Sequence, residues 1–320
     1  MFPRKYKKIS KFKRFLLKLL NVYAVDRESL NLVNPNYNNN SGNNFILNDK
    51  SIILSEGYLN LDRKIKKLDI YFRYAPNNKL WNSTDRWKRI VPNINKEELI
   101  LTCLQSLITI INKFLEKNNL KITLNLISDK SNDKFDNKIE ELSNLKNIEL
   151  KFYKSKIEGN RGTYLECCDM AENAEDLIFF IEDDYLFEPN CIEEMIFTYS
   201  RLSTLFKNDI FLCPSDYPFY YDSEYSTSIY IGHNYRWRIV KETLLTFMMS
   251  KKIFKMNKDK IRMVGEKEND PFEKPLHEIY QTTPSLSPVG SLSYHINRHI
   301  PAINENWIGL WKNNFIKINK

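Results

Sequence analysis

Long apolar segments are missing from this sequence of 320 residues. Its longest apolar stretches, ELILTCLQSLITIINKF and DLIFFIE, contain polar residues well before the roughly 20 apolar positions that a membrane-spanning helix needs. The first 25 residues lack the uninterrupted apolar core and the small-residue cleavage site of a secretory signal. These absences predict a globular protein without a transmembrane span and argue against export.

Paired cysteines and a phosphate-binding glycine loop are also absent. The cysteines are odd in number and show no C-x-x-C spacing, so we expect reduced core residues in a cytosolic protein. The G-x-x-x-x-G-K-[ST] pattern of a Walker loop does not occur. The five cysteines are Cys103, Cys167, Cys168, Cys191 and Cys213.

Positive charge is concentrated at the start of the chain. Residues 1–25 contain eight of the 48 Lys and Arg residues and no acidic residue, so the other 40 basic residues balance the 40 acidic ones. Phe and Leu alternate with these basic residues, which predicts a basic amphipathic helix. It would lie on an anionic membrane surface, or pack on the domain with its lysines solvated. The neutral remainder argues against a nucleic-acid partner.

The chain has two parts by composition. The segment NPNYNNNSGNN marks residues 26–50 as a linker, so we predict a helix and linker over 1–50 and one domain over 51–320. Within that domain, apolar strands at 68–74, 121–127, 148–153 and 176–181 alternate with helical patterns at 96–115 and 162–174. This alternation predicts an α/β fold with a mostly parallel sheet covered by helices on both faces.

Three carboxylates directly follow the last of these strands. Glu182, Asp183 and Asp184 stand in the segment IFFIEDDYLFEP. Adjacent carboxylates at the end of a buried strand repel one another, and a divalent cation such as Mg²⁺ or Mn²⁺ would compensate them. The alternative is a solvated acidic turn without a ligand.

The segment LIFFIEDDYLFEPN, with GNRGTYLECCDMA upstream and YIGHNYRWRIVKETLLTFMMS and SPVGSLSYH downstream, resembles bacterial glycosyltransferases of family 2. The resemblance implies a GT-A (Rossmann-like) fold in which Asp183 and Asp184 bind Mn²⁺ or Mg²⁺ and the donor diphosphate. By the same resemblance, Glu182 orients them or contacts the ribose, and His295 joins the metal or contacts the diphosphate. A lone histidine is also often structural.

Other polar residues follow the predicted strands and are candidates for binding the nucleotide. Asp129 is placed for the base or ribose, and Arg73 and Tyr74 for stacking and hydrogen bonding, with Pro76 beside them. Asn160 and Arg161, in a glycine-bounded turn that opens a helix, could meet the diphosphate. A loop aspartate and a plain helix cap are the respective alternatives.

The acceptor side is predicted from two further segments. In EKENDPFEKPLHEI, Asp270 is the candidate base that takes the acceptor proton, with Glu268 and Glu273 as rivals. In HNYRWRI, three residues are candidates for substrate binding, and core packing of the tryptophan is the alternative. These three are Arg236, Trp237 and Arg238.

Together these patterns predict a metal-dependent enzyme that moves a sugar from a nucleotide-diphosphate donor to a glycan or lipid-linked acceptor, with inversion implied by the family. We expect it in the cytoplasm, where residues 1–25 could reach an anionic membrane. A metal-dependent nuclease or phosphohydrolase, and an inactive carbohydrate-binding module, are the rival interpretations.

Overall fold

The computed structural model describes residues 51–54, 57–78, 91, 93–145, 147–221, 227–296 and 307–318, together with Leu19. The chain divides into two compact units, Met1–Asp62 and Arg63–Lys320. In the first unit, β1 (Ser51–Leu54) and β2 (Gly57–Asn60) form an antiparallel hairpin. The predicted basic helix of 1–25 and the linker of 26–50 lie outside the described residues, Leu19 apart.

The second unit contains strands and helices that alternate along its first half. Its strands are β3 (Lys67–Tyr74), β4 (Lys121–Ser128), β5 (Glu149–Lys154), β6 (Leu177–Glu182), β7 (Tyr185–Phe187), β8 (Phe211–Leu212), β9 (Ile229–Ile231), β10 (Arg236–Ile239), β11 (Phe247–Ser250), β12 (Ser285–Pro288) and β13 (Ser293–His295). Its helices are α1 (Lys96–Leu115), α2 (Asp133–Ser143), α3 (Gly159–Ala171), α4 (Cys191–Phe206), α5 (Lys251–Met256), α6 (Lys258–Glu266), α7 (Lys274–Tyr280) and α8 (Trp307–Asn314).

Nine of these strands form one sheet, in the order β5-β4-β3-β6-β11-β8-β12-β10-β9. The first four strands are parallel, as expected for strands joined through helices. Strand β11 is antiparallel to β6, and the remaining strands mix both directions. The predicted α/β architecture is confirmed, and the second half of the chain continues the same sheet.

Helix α1 follows directly from its sequence. The Asn95 side chain accepts the backbone N–H of Glu98, and the Glu98 side chain accepts the N–H of Asn95, which forms a capping box. The helix is long and apolar enough to cross a membrane by composition, but most of it is buried within the protein. Its apolar residues therefore serve as core, as they do in many soluble folds.

The parallel strands bring the ends of three strands to one edge of the sheet. Arg73 on β3 pairs with Glu182 on β6, and Tyr74 pairs with Ser128 on β4. Parallel α/β sheets bind ligands at the carboxyl ends of their strands. The residues that follow β3, β4 and β6 are therefore neighbours at this edge.

A separate two-stranded ribbon completes this edge. Strands β7 and β13 pair antiparallel, with His295 opposite Tyr185. The backbone N–H of Ile296 continues the pairing by donating to the Asp184 carbonyl at 2.7 Å. The ribbon therefore carries a histidine from late in the chain to the acidic turn after β6.

One large apolar cluster of the core lies between the sheet and helices α3, α6 and α7. Tyr71, Tyr164, Phe180 and Phe247 pack there with edge-on ring contacts. All five cysteines are buried and free, as predicted.

Candidate active site

The acidic turn after β6 lies where the strand leaves the core. Glu182 is the last residue of β6, and Asp183 and Asp184 form the turn before β7. Burial of the two aspartates is nearly complete, at 8% and 9% exposed. The negative charge of a buried carboxylate must be compensated by hydrogen bonds or by a positive charge, so the partners of these aspartates determine which ligands the turn can bind.

Each of the three acids contacts a different basic side chain. Glu182 Oε1 lies 2.5 Å from Arg73 Nη2. Asp183 Oδ1 lies 2.6 Å from Lys96 Nζ, and Asp184 Oδ2 lies 3.2 Å from His295 Nε2. The repulsion expected among adjacent carboxylates is thus offset by two cationic side chains and an imidazole, from three different elements.

The imidazole of His295 is held by aromatic neighbours. The Tyr185 ring stacks on it, with ring centroids 4.6 Å apart and planes 9° from parallel. The Tyr185 hydroxyl is in turn 2.5 Å from the Tyr217 hydroxyl. This packing fixes the ring orientation, which a metal ligand requires.

Three side chains of the turn could hold a metal ion together. The ligand atoms of Glu182, Asp184 and His295 all lie within 4.8 Å of one another. Asp184 Oδ1 is buried and has no hydrogen-bond partner among the described residues. Carboxylate oxygens and an imidazole are suitable ligands for Mn²⁺. A bound cation would also supply the partner that Asp184 Oδ1 lacks. The residues present therefore fit a divalent cation.

The ionisation of these groups is strongly perturbed. Burial raises the pKa of Glu182 and of Asp183, although Arg73 and Lys96 oppose it. Burial also acts to raise the pKa of Asp184, but His295 outweighs it and the net shift is downward. Burial acts to lower the pKa of His295, yet Asp184 and Glu182 more than offset this and the pKa is raised. A metal ion binds neutral imidazole, so at this position it competes with a proton.

Asp183, predicted as a metal ligand, has a different set of contacts. Its Oδ1 accepts from Lys96, and its Oδ2 accepts the backbone N–H of Ala75 at 2.9 Å. It lies outside the group of converging ligand atoms, whereas Glu182, predicted to contact the nucleotide, lies within it.

Asp129 follows β4 and faces the turn before α3. Its Oδ2 accepts the backbone N–H of Gly159 at 2.9 Å, and its buried Oδ1 has no partner among the described residues. Gly159 has a φ of 85°, and a Cβ on Gly162 would lie 2.3 Å from the Ile157 carbonyl oxygen. The glycines of this turn are therefore required by its geometry. The buried Oδ1 of Asp129 could accept a hydrogen bond from an N–H group of a nucleobase.

Arg73 connects this turn to the acids. Its Nη1 donates to the Asn160 backbone carbonyl at 3.0 Å and also contacts the Asn160 side chain, while Nη2 binds Glu182. The guanidinium packs over the Tyr164 ring at 5.6 Å. The structure thus brings Arg73, Asn160 and Glu182 together, and Arg161 is exposed beside them.

Tyr74 is not placed to stack on a ligand. It is buried at 1% exposure, and its hydroxyl donates to Asp136 at 2.7 Å. Pro76 is buried as well.

The sequence profile described as "Glycosyl transferase family 2" matches residues 90–259, more than half of the chain. The chain belongs to glycosyl transferase family 2. The match contains the acidic turn and Asp129, and ends before Asp270 and His295. The resemblance stated from the acidic motif is confirmed, as is the GT-A-type fold.

No curated protein matches the chain significantly. Among solved structures, residues 1–349 of TarS from S. aureus are 11% identical with a TM-score of 0.45, and the match covers 71% of this chain and 60% of that one. The inositol-1-phosphate CTP transferase from T. maritima is 13% identical with a TM-score of 0.42, covering 78% and 96%. HddC from Yersinia pseudotuberculosis is 12% identical with a TM-score of 0.42, covering 77% and 98%. The chain thus spans less than two thirds of the TarS segment.

In this family 2 glycosyltransferase, the tryptophan predicted to bind substrate belongs to the core. Trp237 is fully buried, and its indole N–H donates to Glu194 at 3.0 Å. Arg238 is also buried, 3.1 Å from Asp216 and 4.1 Å above the Tyr221 ring. These positions leave Arg236, which is exposed on β10, as the member of the trio that a ligand can reach directly.

The three candidate bases differ in environment. Asp270 and Glu268 are exposed. Glu273 is buried and accepts the backbone N–H groups of Thr243 and Leu245 and the Thr243 hydroxyl. Burial raises the pKa of Glu273 to about 7, although those backbone groups favour its ionised form.

Two residues with contacts to distant parts of the chain were missed from sequence. Lys96 reaches Asp183, and Glu194 organises the turn before β10. Lys96 had one available signal, since a lysine at the first residue of a helix opposes the helix dipole. Glu194 had none, because it stands in an ordinary amphipathic helix.

Proposed function

We propose that the protein transfers a sugar from a nucleotide-diphosphate donor to a glycan or lipid-linked acceptor, with inversion and with a divalent cation. The observation that carries this proposal is the convergence of Glu182, Asp184 and His295 at the carboxyl end of β6. When bound, Mn²⁺ or Mg²⁺ would neutralise charge on the departing diphosphate.

The residues around this cluster support donor binding. Asp129 has a buried oxygen with no partner among the described residues, which could accept an N–H group of a nucleobase such as uracil, thymine or guanine. The turn at Gly159 and the Arg73 guanidinium connect that position to the acids. We include Arg161, exposed in the first turn of α3, as a group that meets the diphosphate.

For the acceptor side we propose Asp270 as the base. Among the candidate bases, Glu273 has both carboxylate oxygens occupied, whereas Asp270 is exposed and open to an acceptor hydroxyl. Asp270→Asn should abolish transfer to an acceptor while donor hydrolysis by water remains measurable. Glu268→Gln is the matched control, and equal loss in both variants would contradict the assignment.

The test of the activity class is a thermal-shift screen of UDP, GDP, CMP and dTDP sugars with and without Mn²⁺. Stabilisation by one nucleotide sugar, larger with metal than without it, is expected, because ligands of the folded state raise its stability. Asp184→Asn should remove the part of this stabilisation that depends on the metal. No shift with any nucleotide sugar would favour an inactive module, and cleavage of a phosphodiester in place of sugar transfer would favour a hydrolase.

A cytoplasmic location is part of the same proposal, with residues 1–25 in contact with an anionic membrane when the acceptor is lipid-linked.

A further inference from the structure

Lys96 brings a positive charge into the acidic turn from a helix that begins beside it. The lysine is the first residue of α1, and its side chain is 15% exposed. The N-terminus of a helix carries partial positive charge, so the helix itself does not favour a cation there. Asp183, 2.6 Å away, supplies the compensation.

The ammonium group has capacity beyond this contact. It carries three N–H donors, and among the described residues only Asp183 accepts one of them. The remaining donors lie beside the buried carboxylates of the acidic turn. A ligand with several anionic oxygens would satisfy them.

Asp183 is arranged to hold the lysine. One carboxylate oxygen accepts from Lys96 and the other from the Ala75 backbone N–H, so both are occupied. Asp184, the next residue, instead keeps a buried oxygen without a partner among the described residues. Two neighbouring aspartates thus differ in role, one paired with an ammonium group and one open to a ligand.

We propose that Lys96 binds the diphosphate of the donor directly and that Asp183 positions its ammonium group without serving as a metal ligand. The inference rests on the proposed function, because it assigns the diphosphate of a nucleotide sugar to this edge of the sheet. It carries one distinctive consequence: the protein binds a pyrophosphate group even when no divalent cation is present.

The experiment is isothermal titration calorimetry, in which the full chain is titrated with inorganic pyrophosphate in the presence of EDTA. This probe has no base or sugar, so the result does not depend on donor identity. Lys96→Met should weaken binding about tenfold or more, since it removes a charge-assisted hydrogen bond. Lys96→Arg should retain binding, and Lys252→Met, which removes an exposed lysine elsewhere, should match the wild type.

Lys96→Met leaves the Asp183 carboxylate buried without its partner and so threatens the fold. The double variant Lys96→Met with Asp183→Asn removes both charges and should regain stability but not pyrophosphate binding. Binding at wild-type strength by this double variant would overturn the inference, and so would a wild type that binds no pyrophosphate in EDTA.

Failure of the inference and of the proposed function can be told apart. If a nucleotide sugar with Mn²⁺ stabilises the wild type and Lys96→Met by the same amount, the inference about Lys96 fails and the proposed function stands. If no nucleotide sugar stabilises the wild type with Mn²⁺, the proposed function fails whatever the pyrophosphate titration shows.

Discussion

Glu182, Asp183 and Asp184 are neighbours in sequence but face three different basic groups, one each from β3, α1 and β13. From sequence, their mutual repulsion suggested that a metal ion must compensate them. The structure shows that the chain supplies much of the compensation itself. The divalent cation is therefore expected to serve ligand binding more than folding.

At this scale we predict that His295→Ala weakens Mn²⁺ binding about tenfold or more, because it removes the only nitrogen ligand of the described cluster. Mn²⁺ affinity can be followed by electron paramagnetic resonance of the free ion. His277→Ala is the control, since His277 lies near Glu242 and outside the cluster. Unchanged Mn²⁺ affinity in His295→Ala would remove the imidazole from the site.

Glu273 gives a pH-dependent prediction. Its pKa is raised by burial from 4.5 to about 7 in the folded protein, so the folded state binds its proton more tightly than the unfolded state. The stabilisation is therefore complete below pH 4.5 and is lost as the pH rises through about 7. Relative to Glu273→Gln, the wild type should lose up to about 3 kcal/mol of unfolding free energy across this range.

Urea unfolding of the wild type and of Glu273→Gln at a series of pH values measures this difference. A difference that stays constant with pH, or that grows in the opposite direction, would show that folding does not raise the pKa of Glu273.

At the scale of elements, a single buried carboxylate organises the connection between β9 and β10. Glu194 on α4 accepts the backbone N–H groups of His233, Asn234 and Tyr235, together with the Trp237 indole N–H. Several donors thus converge on one anion without a paired cation among these contacts. The turn takes its shape from a helix that lies about forty residues earlier in the chain.

We expect Glu194→Ala to lower the free energy of unfolding by about 3 kcal/mol, because it leaves buried N–H groups without acceptors. Chemical denaturation provides the measurement. Glu193→Ala, on the same helix but only partly buried, should change it by less than about 0.5 kcal/mol. Similar values for the two variants would contradict the structural role of Glu194.

The elements themselves were largely predictable, and their contacts were not. The Asn95 cap and the apolar run before Glu182 defined α1 and β6 to within about a residue, because both signals are local. The ion pair of Lys96 with Asp183 joins residues 87 positions apart, and no local pattern encodes it. The arginine neighbours of Trp237 suggested a ligand-binding residue, but the tryptophan is fully buried and its indole N–H donates to Glu194, 43 positions earlier.

At the scale of the whole molecule, the separate compensation of each acid predicts that the fold does not need a metal ion. EDTA should shift the melting temperature of the protein by less than about 2 °C, since no large uncompensated charge remains in the turn. Differential scanning calorimetry with and without EDTA tests this prediction. The control is Asp184→Asn, in which one of the three proposed metal ligands is removed. A large drop in EDTA that is absent in Asp184→Asn would show that the cation is structural.

The β7–β13 ribbon has a consequence for the order in which the protein is made. All nine strands of the large sheet are complete by Pro288, and both aspartates of the turn are translated long before that point. The imidazole arrives with the last strand of the ribbon, at His295. A growing chain therefore has every strand of its sheet before it has the histidine of the candidate cation site, so the sheet can pair while that site still lacks one ligand.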